Sequence, residues 1–317
     1  MTKVWISRHL PESVEARART VFDATTTPST TPLGPDALAR ALRENDGVLA
    51  TLGDGFTPAG FAAAGQIRAR VIANFGVGYN HIDVEAARAR DITVTNTPGV
   101  LTEATADIAM TLMLMVARRA GEGDRLARSG AWPGWHPTQM LGQDVTGRTR
   151  GIIGFGRIGQ AMARKAHFGF GMKVFYYNRS PKAVDFPAVR LETIAEVMAE
   201  ADIVALHTPG GGANTHLIGA AELAAMKPTG ILVNTARGDV IDEAALMDTL
   251  ERGAIFGAGL DVYEHEPHVP NRLRTLDNVV LLPHLGSATL GVREAMGNMA
   301  LDNLEAFFAG RPVPNPV

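Results

Sequence analysis

The segment Gly154-Phe155-Gly156-Arg157-Ile158-Gly159 constrains the fold of this chain more than any other. An apolar run, Gly151-Ile152-Ile153, precedes it, and a helical pattern over residues 160–166 follows it. Glycine-rich loops also serve as ordinary tight turns. A strand before and a helix after, however, are the setting in which G-x-G-x-x-G lets a pyrophosphate approach free N–H groups at a helix N-terminus. The pattern therefore predicts a dinucleotide-binding turn.

Composition excludes several classes of protein. A length of 317 residues predicts about two domains, and 46% hydrophobic with 20% charged residues is typical of a globular chain. The net charge of −3 gives no basic surface for nucleic acid. The absence of cysteine excludes disulfides and thiolate sites, and no spacing of His, Asp and Glu suggests a metal.

No targeting or membrane segment is predicted. The N-terminus, Met1-Thr2-Lys3-Val4-Trp5-Ile6-Ser7-Arg8, turns polar too early for a signal peptide, and the longest apolar stretch, 108–117, is too short to span a bilayer. A cytoplasmic protein without a membrane partner is the resulting expectation.

Strand and helix patterns alternate along the chain, which predicts parallel, doubly wound sheets. Residues 154–159 are called the fingerprint below. Before the fingerprint, the predicted strands are 4–6, 48–50, 71–73 and 92–94, and the predicted helices are 36–43 and 83–90, with Asp83 as N-cap. After it, the predicted strands are 173–177, 203–206, 231–234, 254–260 and 279–282, and the predicted helices are 193–201 and 243–252, with Asp242 as N-cap.

The order of these elements predicts one domain inserted into another. Thr97-Pro98-Gly99 ends the first series, and a single long helix from 102 to about 128 leads into the second. The second series, with the fingerprint, predicts a six-stranded Rossmann domain at 98–285. A final helix over 289–308 returns to the first domain, which comprises 1–97 and 286–317.

The residues after the second strand of this domain are Asn178-Arg179-Ser180, where NAD sites carry an acid for the adenosine ribose. A carboxylate there would repel a 2′-phosphate, whereas arginine can pair with one through two charge-assisted hydrogen bonds. Arg179 therefore favours NADP(H), with NAD(H) still possible. The alternative is that Arg179 stacks on adenine or faces solvent.

Three polar segments follow predicted strands, and ligands bind at such strand ends. They are Asn234-Thr235-Ala236-Arg237-Gly238-Asp239, Asp261-Val262-Tyr263-Glu264-His265-Glu266-Pro267 and Pro283-His284-Leu285-Gly286. With Asn74 to Asp83 and Asn96 to Asp107, they make the chain resemble the D-2-hydroxyacid dehydrogenases, closest to the glyoxylate/hydroxypyruvate reductase branch. The resemblance covers nearly the whole length, and it implies a Rossmann domain inserted into a flavodoxin-like substrate domain.

The resemblance implies a catalytic set of Arg237, Glu266 and His284. Histidine can donate a proton near neutral pH while a hydride reaches the carbonyl carbon. Glu266 on the other ring nitrogen would orient the imidazole, and Arg237 would bind the substrate carboxylate with its planar fork.

The remaining site residues also come from the resemblance or the fingerprint. The substrate contacts it implies are Leu52, Val77, Gly78 and Trp135. The expected coenzyme contacts are Thr105, Gly154, Gly156, Arg157, Ile158, Gly159, Asn178, Arg179, Ser180, His207, Thr208, Pro209, Thr235, Ala236, Asp261, His284 and Gly286.

Two tryptophans, Trp132 and Trp135, lie in a Pro/Gly-rich segment. By themselves they are compatible with the cover of a hydrophobic edge or with a subunit interface or pocket wall. In glyoxylate/hydroxypyruvate reductases, a tryptophan matching Trp135 comes from the partner subunit to wall the active site. The resemblance thus implies a homodimer.

The function predicted in this way is NAD(P)H-dependent reduction of small 2-oxo acids, glyoxylate and hydroxypyruvate first. A preference for bulkier 2-oxo acids stays open, as does a non-catalytic, NAD(P)-sensing binding protein. A formate dehydrogenase is disfavoured, since that branch pairs its catalytic histidine with glutamine and not with a residue like Glu266.

Overall fold

The computed structural model describes residues 1–317 and contains twelve strands and twelve α-helices. The strands are β1 (Lys3–Ile6), β2 (Asp23–Thr26), β3 (Gly47–Ala50), β4 (Val71–Asn74), β5 (Thr93–Thr95), β6 (Thr149–Ile153), β7 (Lys173–Tyr177), β8 (Val189–Arg190), β9 (Ile203–Leu206), β10 (Ile231–Asn234), β11 (Gly257–Leu260) and β12 (Val279–Leu281). The helices are α1 (Glu12–Val21), α2 (Pro35–Glu44), α3 (Pro58–Ala64), α4 (Val84–Arg88), α5 (Thr102–Ala117), α6 (Ala120–Ser129), α7 (Arg157–Phe170), α8 (Ile194–Glu200), α9 (Ala220–Ala224), α10 (Glu243–Glu251), α11 (Asn271–Thr275) and α12 (Leu290–Phe308).

The chain forms two compact units. Unit 1 comprises Met1–Leu101 and Ala288–Val317, and unit 2 comprises Thr102–Ser287. These limits lie close to the predicted domain boundaries, 97/98 and 285/286. The assignment of one domain to the substrate and the other to the coenzyme stays a prediction.

Unit 1 contains a parallel five-stranded sheet in the order β2-β1-β3-β4-β5. This is the strand order of flavodoxin-like folds. Helices α2 and α3 bury Leu38, Leu42 and Phe61 in a core with Val48 and Ile72 of the central strands. The long α12 belongs to this unit and packs against α1, β3 and β4.

Unit 2 contains a parallel seven-stranded sheet in the order β12-β11-β10-β9-β6-β7-β8. The order reverses between β6 and β9, and such a switch point opens a crevice at the carboxyl ends of the strands. Ile152 and Ile153 lie in separate buried clusters, as expected for neighbouring residues of a strand that is covered on both faces.

The prediction of six strands in this sheet was wrong, because β8 adds a seventh at its edge. β8 has only two paired residues, Val189 and Arg190, so it carries no apolar run that a pattern could reveal. The edge strand β2 in unit 1 was missed as well, because its sequence, Asp-Ala-Thr-Thr, is polar.

The single long helix predicted over 102–128 is in fact two helices, α5 and α6. Arg119 between them has a left-handed backbone (φ 50°), and its guanidinium binds Glu122 through two hydrogen bonds of 2.9 and 2.8 Å. The Ala117 carbonyl accepts a hydrogen bond from Gln143 N–H (2.7 Å). A distant segment thus takes a carbonyl that a continuous helix would use itself.

Helix N-caps follow the predictions made for them. The side chain of Asp83 accepts from Ala86 N–H (2.7 Å), and that of Asp242 accepts from Ala245 N–H (3.0 Å). No helix of the chain combines the length and the apolar character that crossing a membrane requires.

Candidate active site

The fingerprint turn of unit 2 connects β6 to α7 and leaves space above its backbone. Gly154 has φ +91°, and a Cβ there would lie 2.7 Å from the backbone of His207 and Thr208. A Cβ at Gly159 would collide with the Gly154 carbonyl, so helix and turn pack closely. At Gly156, by contrast, a Cβ would meet nothing within 4 Å. This open side is where a pyrophosphate could approach the N-terminus of α7.

Two arginines lie beside Asn178, which follows the carboxyl end of β7. The Asn178 side chain accepts from Phe155 N–H (3.1 Å) and donates to the Ser180 carbonyl (2.8 Å), which fixes the turn. Arg179 is exposed and has no partner within the chain. Arg190 of β8 donates from Nε to the Asn178 carbonyl (3.2 Å) and from Nη1 to Glu192 (3.1 Å). Sequence patterns did not reveal Arg190, because β8 was missed.

Two buried hydroxyls of unit 2 point to a polar ligand. The side-chain hydroxyls of Thr208 and Thr235, which follow β9 and β10, are buried and have no hydrogen-bond partner. Leaving such groups unpaired is costly, so a ligand or water is expected there. His207 lies with Nε2 3.3 Å from the sulfur of Met162, and burial together with the Arg150 charge lowers its pKa to about 3. His207 is therefore a neutral imidazole near neutral pH.

Arg237 follows β10 and lacks an ion-pair partner. Its Nη1 donates to the Ala236 carbonyl (2.7 Å), and no carboxylate lies within ion-pair distance. Burial lowers the pKa of its guanidinium, while the charges of Glu266 and Asp239 oppose that shift. The segment before it is held by Asn234, whose side chain accepts from Ala236 N–H (3.0 Å) and donates to the Arg237 carbonyl (2.8 Å). A desolvated cation that has no ion-pair partner can bind an anion.

His284 follows β12 and is paired with Glu266. His284 Nδ1 lies 2.8 Å from Glu266 Oε2, and the other carboxylate oxygen accepts from Tyr263 N–H (3.2 Å). The two side chains are 28% and 30% exposed, and Nε2 of His284 has no hydrogen-bond partner within the chain. A Glu266 carboxylate on Nδ1 selects the imidazole form with a proton on that nitrogen.

The backbone of His284 is left-handed (φ 56°), which is uncommon for a residue with a side chain. Asp261, after β11, holds it there. The Asp261 carbonyl accepts from His284 N–H (2.9 Å), and its carboxylate accepts from the N–H groups of Leu285 (2.6 Å) and Gly286 (2.8 Å). Burial raises the pKa of the Asp261 carboxyl despite these contacts. Asp261 therefore positions the turn at residues 284–286, a role that was not predicted from the sequence.

Thr105 near the start of α5 is buried, and its hydroxyl donates to the Gly286 carbonyl (2.9 Å). The structure thus brings together five residues predicted for the site from widely separated segments of unit 2. They are Thr105, Asp261, Glu266, His284 and Gly286.

In unit 1, the turn over residues 76–78 presents two free N–H groups. Side-chain amides occupy its carbonyls, since Asn74 donates to those of Gly76 (3.0 Å) and Gly78 (3.1 Å) and Asn96 donates to that of Val77 (2.9 Å). The N–H groups of Val77 and Gly78 have no acceptor within the chain. Two unpaired amides on a fixed turn can bind a carboxylate.

Leu52, also in unit 1, lies in a loop that a buried acid fixes. Arg8 donates to the Leu52 carbonyl (2.7 Å) and to Asp54 (3.0 Å), which is fully buried. The remaining predicted residues are less embedded. Arg157 and Pro209 are exposed, Ile158 is half-buried, and Ala236 is buried. Trp135 in unit 2 is 78% exposed and Trp132 is 52% exposed.

Comparison with known proteins identifies the family. Residues 110–286 match the family described as D-isomer specific 2-hydroxyacid dehydrogenase, NAD binding domain. The chain is 45% identical over 321 aligned residues to a glyoxylate reductase of Thermococcus gammatolerans, covering 99% of this chain and 95% of that protein. The chain belongs to the D-2-hydroxyacid dehydrogenase family.

Solved structures agree with this membership. An NADPH-dependent glyoxylate/hydroxypyruvate reductase of Sinorhizobium meliloti, in complex with NADP and malonate, is 34% identical with a TM-score of 0.88 over 100% of this chain and 96% of that one. A D-mandelate dehydrogenase of Rhodotorula graminis is 28% identical with a TM-score of 0.86 over 100% of this chain and 97% of that one. The resemblance seen in the sequence motifs is thereby confirmed.

Proposed function

We propose that this D-2-hydroxyacid dehydrogenase reduces glyoxylate and hydroxypyruvate to the corresponding 2-hydroxy acids with NADPH. The observation that carries the proposal is the 2.8 Å contact of His284 with Glu266. His284 follows β12, and Arg237, which has no ion-pair partner, follows β10, two strands away in the same sheet. The names of the relatives support the substrate class.

His284 serves as the acid in this proposal. A bound nicotinamide coenzyme supplies the hydride to the carbonyl carbon of the substrate. His284 Nε2 gives its proton to the carbonyl oxygen, and in the reverse direction it takes that proton back. The Glu266 carboxylate holds Nδ1 at 2.8 Å and so fixes the orientation of the ring, which leaves Nε2 for the substrate.

Arg237 serves the substrate carboxylate in this proposal. A guanidinium can bind a carboxylate through two parallel hydrogen bonds, and its charge also polarises the adjacent carbonyl. For unit 1, the resemblance implies the free N–H groups of Val77 and Gly78 and the Leu52 loop as substrate contacts. The Thr235 hydroxyl, the Asp261 carboxylate and Thr105 are proposed to contact the nicotinamide, and Gly154 to Gly159 the pyrophosphate.

A panel of 2-oxo acids with NADPH and NADH tests the function. Glyoxylate and hydroxypyruvate are expected to give the highest kcat/KM, followed by pyruvate and bulkier acids such as benzoylformate. The readout is the loss of absorbance of the reduced coenzyme. Turnover of bulky acids alone would replace the proposed substrates with larger ones, and no turnover of any 2-oxo acid would leave a coenzyme-sensing role.

The preference for NADPH is proposed from the two arginines around Asn178. Arg179 has no partner in the chain, and Arg190 is held beside it by the Asn178 carbonyl, so we assign both to the 2′-phosphate. Glu192, which pairs with Arg190, is 75% exposed and free to turn away. The NADP bound to the relative from Sinorhizobium meliloti is consistent with this preference.

Replacing Arg179 with glutamine is expected to weaken NADPH binding by about 10- to 100-fold and to leave NADH binding unchanged, because only NADPH carries the phosphate. Arg190→Gln should act in the same direction with a smaller effect. Binding is measured by quenching of tryptophan fluorescence. The matched control is Arg164→Gln, which removes an exposed arginine of α7 that pairs with Asp185. Equal losses for both coenzymes would contradict the assignment.

A homodimer is also proposed. Trp135, Trp132 and Leu141 are 78%, 52% and 63% exposed within one short segment of unit 2, and large apolar side chains clustered on a surface are typical of an interface. Trp135 is proposed to wall the active site of the partner subunit. Multi-angle light scattering tests the dimer, and a monomer at micromolar concentration would contradict it.

A further inference from the structure

We propose that Asp239 is a positioning residue that fastens the 209–212 loop over the side chain of Arg237, and so couples the coenzyme cradle to the substrate-binding arginine. This inference rests on the proposed role of Arg237 in binding the substrate carboxylate. Asp239 itself touches neither substrate nor coenzyme in this proposal.

Asp239 fastens the loop through a hydrogen bond to its side chain, and its carbonyl accepts a second from the segment that follows. The Asp239 carboxylate accepts from Gly211 N–H through Oδ2 at 2.7 Å, and the Asp239 carbonyl accepts from His216 N–H at 2.7 Å. Both the side chain and the backbone of Asp239 thus accept hydrogen bonds from the segment 211–216. Asn214 closes the loop by donating from its side chain to the Pro209 carbonyl (2.9 Å).

Gly210 presses directly on Arg237. A Cβ at this position would lie 2.7 Å from Arg237 Cβ and 2.9 Å from Cγ, and it would also collide with Asp239 Oδ1. The φ of Gly210 is not in the left-handed region, so space and not conformation requires glycine here. The loop backbone therefore covers the stem of Arg237 and limits its rotamers.

The same loop begins at the fingerprint turn. His207 N–H donates to the Ile153 carbonyl (2.8 Å), and the backbone of His207 and Thr208 packs against Gly154. The contacts therefore run from Gly154 through the backbone of residues 207–210 to the side chain of Arg237. A shift of the fingerprint turn on coenzyme binding would therefore reach Arg237 as long as Asp239 keeps the loop attached.

The segment around Arg237 is rigid on its other side. A Cβ at Gly238 would collide with the Tyr263 carbonyl group, and Asn234 holds the Arg237 carbonyl. The backbone of Arg237 is thus fixed independently of the loop. Loss of the Asp239 contact should release the side chain and leave the backbone in place.

Two substitutions separate the hydrogen bond from the charge. Asp239→Ala is expected to raise the KM for glyoxylate by about 10- to 30-fold with kcat changed less than about threefold, because a charge-assisted hydrogen bond is lost. Asp239→Asn keeps an acceptor for Gly211 N–H, so its KM should stay within about threefold of wild type. Asp277→Ala, which removes an exposed ion pair with Arg125 before β12, is the control.

Two further readouts distinguish positioning from a loss of fold. Hydrogen–deuterium exchange in peptides over residues 208–214 should quicken in Asp239→Ala alone, while thermal unfolding stays near wild type. In an Arg237→Lys background, the KM penalty of Asp239→Ala should shrink, because both changes act on one interaction.

The outcomes are separable. Wild-type turnover with an unchanged KM in Asp239→Ala would overturn this inference and leave the proposed function intact, even if exchange quickened. An Asp239→Asn variant as impaired as Asp239→Ala would also overturn it, since charge and not the loop contact would then matter. Absence of any wild-type turnover of 2-oxo acids would overturn the proposed function itself.

Discussion

Replacement of His284 by glutamine is expected to lower kcat for glyoxylate reduction by about 10²- to 10⁴-fold, the usual contribution of a positioned proton donor. Glutamine can still contact Glu266, but its amide cannot deliver a proton to the alkoxide that forms. The effect should fall on kcat, because His284 is proposed to act mainly in the transition state. Steady-state kinetics with NADPH near neutral pH measure it.

Two comparisons accompany the His284 variant. NADPH binding to His284→Gln, measured by fluorescence, should stay within a few-fold of wild type. Glu266→Gln should cost less, about tenfold, since the imidazole remains and loses only the charge that orients it. Retention of near-wild-type kcat in His284→Gln would exclude His284 as the acid.

Replacement of Arg237 by methionine is expected to lower kcat/KM by about 10²- to 10³-fold, the range seen when a donor aimed at developing negative charge is removed. Arg237 has no ion-pair partner in the chain, so its loss leaves no carboxylate unpaired within unit 2. The fall should therefore report on the substrate and not on a broken internal salt bridge.

Arg237→Lys is the matched control for that change. Lysine keeps the charge but not the planar fork, so it should recover part of the loss and remain at least about tenfold below wild type. Guanidinium added to the Arg237→Met variant should restore some activity if the lost group acts by its chemistry. Equal kcat/KM for wild type and Arg237→Met would remove the residue from the mechanism.

The His284–Glu266 pair could be predicted from family motifs, whereas the structural role of Asp261 could not. His284 and Glu266 are 18 residues apart in sequence, and only their family motifs indicated that they meet. Asp261 was predicted as a coenzyme contact from the resemblance. Its contacts with the N–H groups of Leu285 and Gly286 are a matter of how β11 and β12 align, which no local pattern expresses.

The places where sequence reasoning failed have a common cause. The break at Arg119 depends on Gln143, which takes the Ala117 carbonyl from 26 residues away. β8 exists because β7 offers an open edge to a pair of residues with no apolar run. In each case a distant partner outweighs the local preference, and periodicity reports only the local preference.

The sequence alone determined the parts that short-range physics controls. Gly154 needs a positive φ, Asp83 and Asp242 cap the helices that follow them, and the apolar runs form buried parallel strands. Tertiary structure alone decided which strand ends meet and how Asp261 holds His284 in a left-handed backbone. It also decided that residue 210 has no space for a Cβ beside the side chain of Arg237. These features depend on packing and hydrogen bonds between segments far apart in the chain, so they arise only once the sheet is assembled.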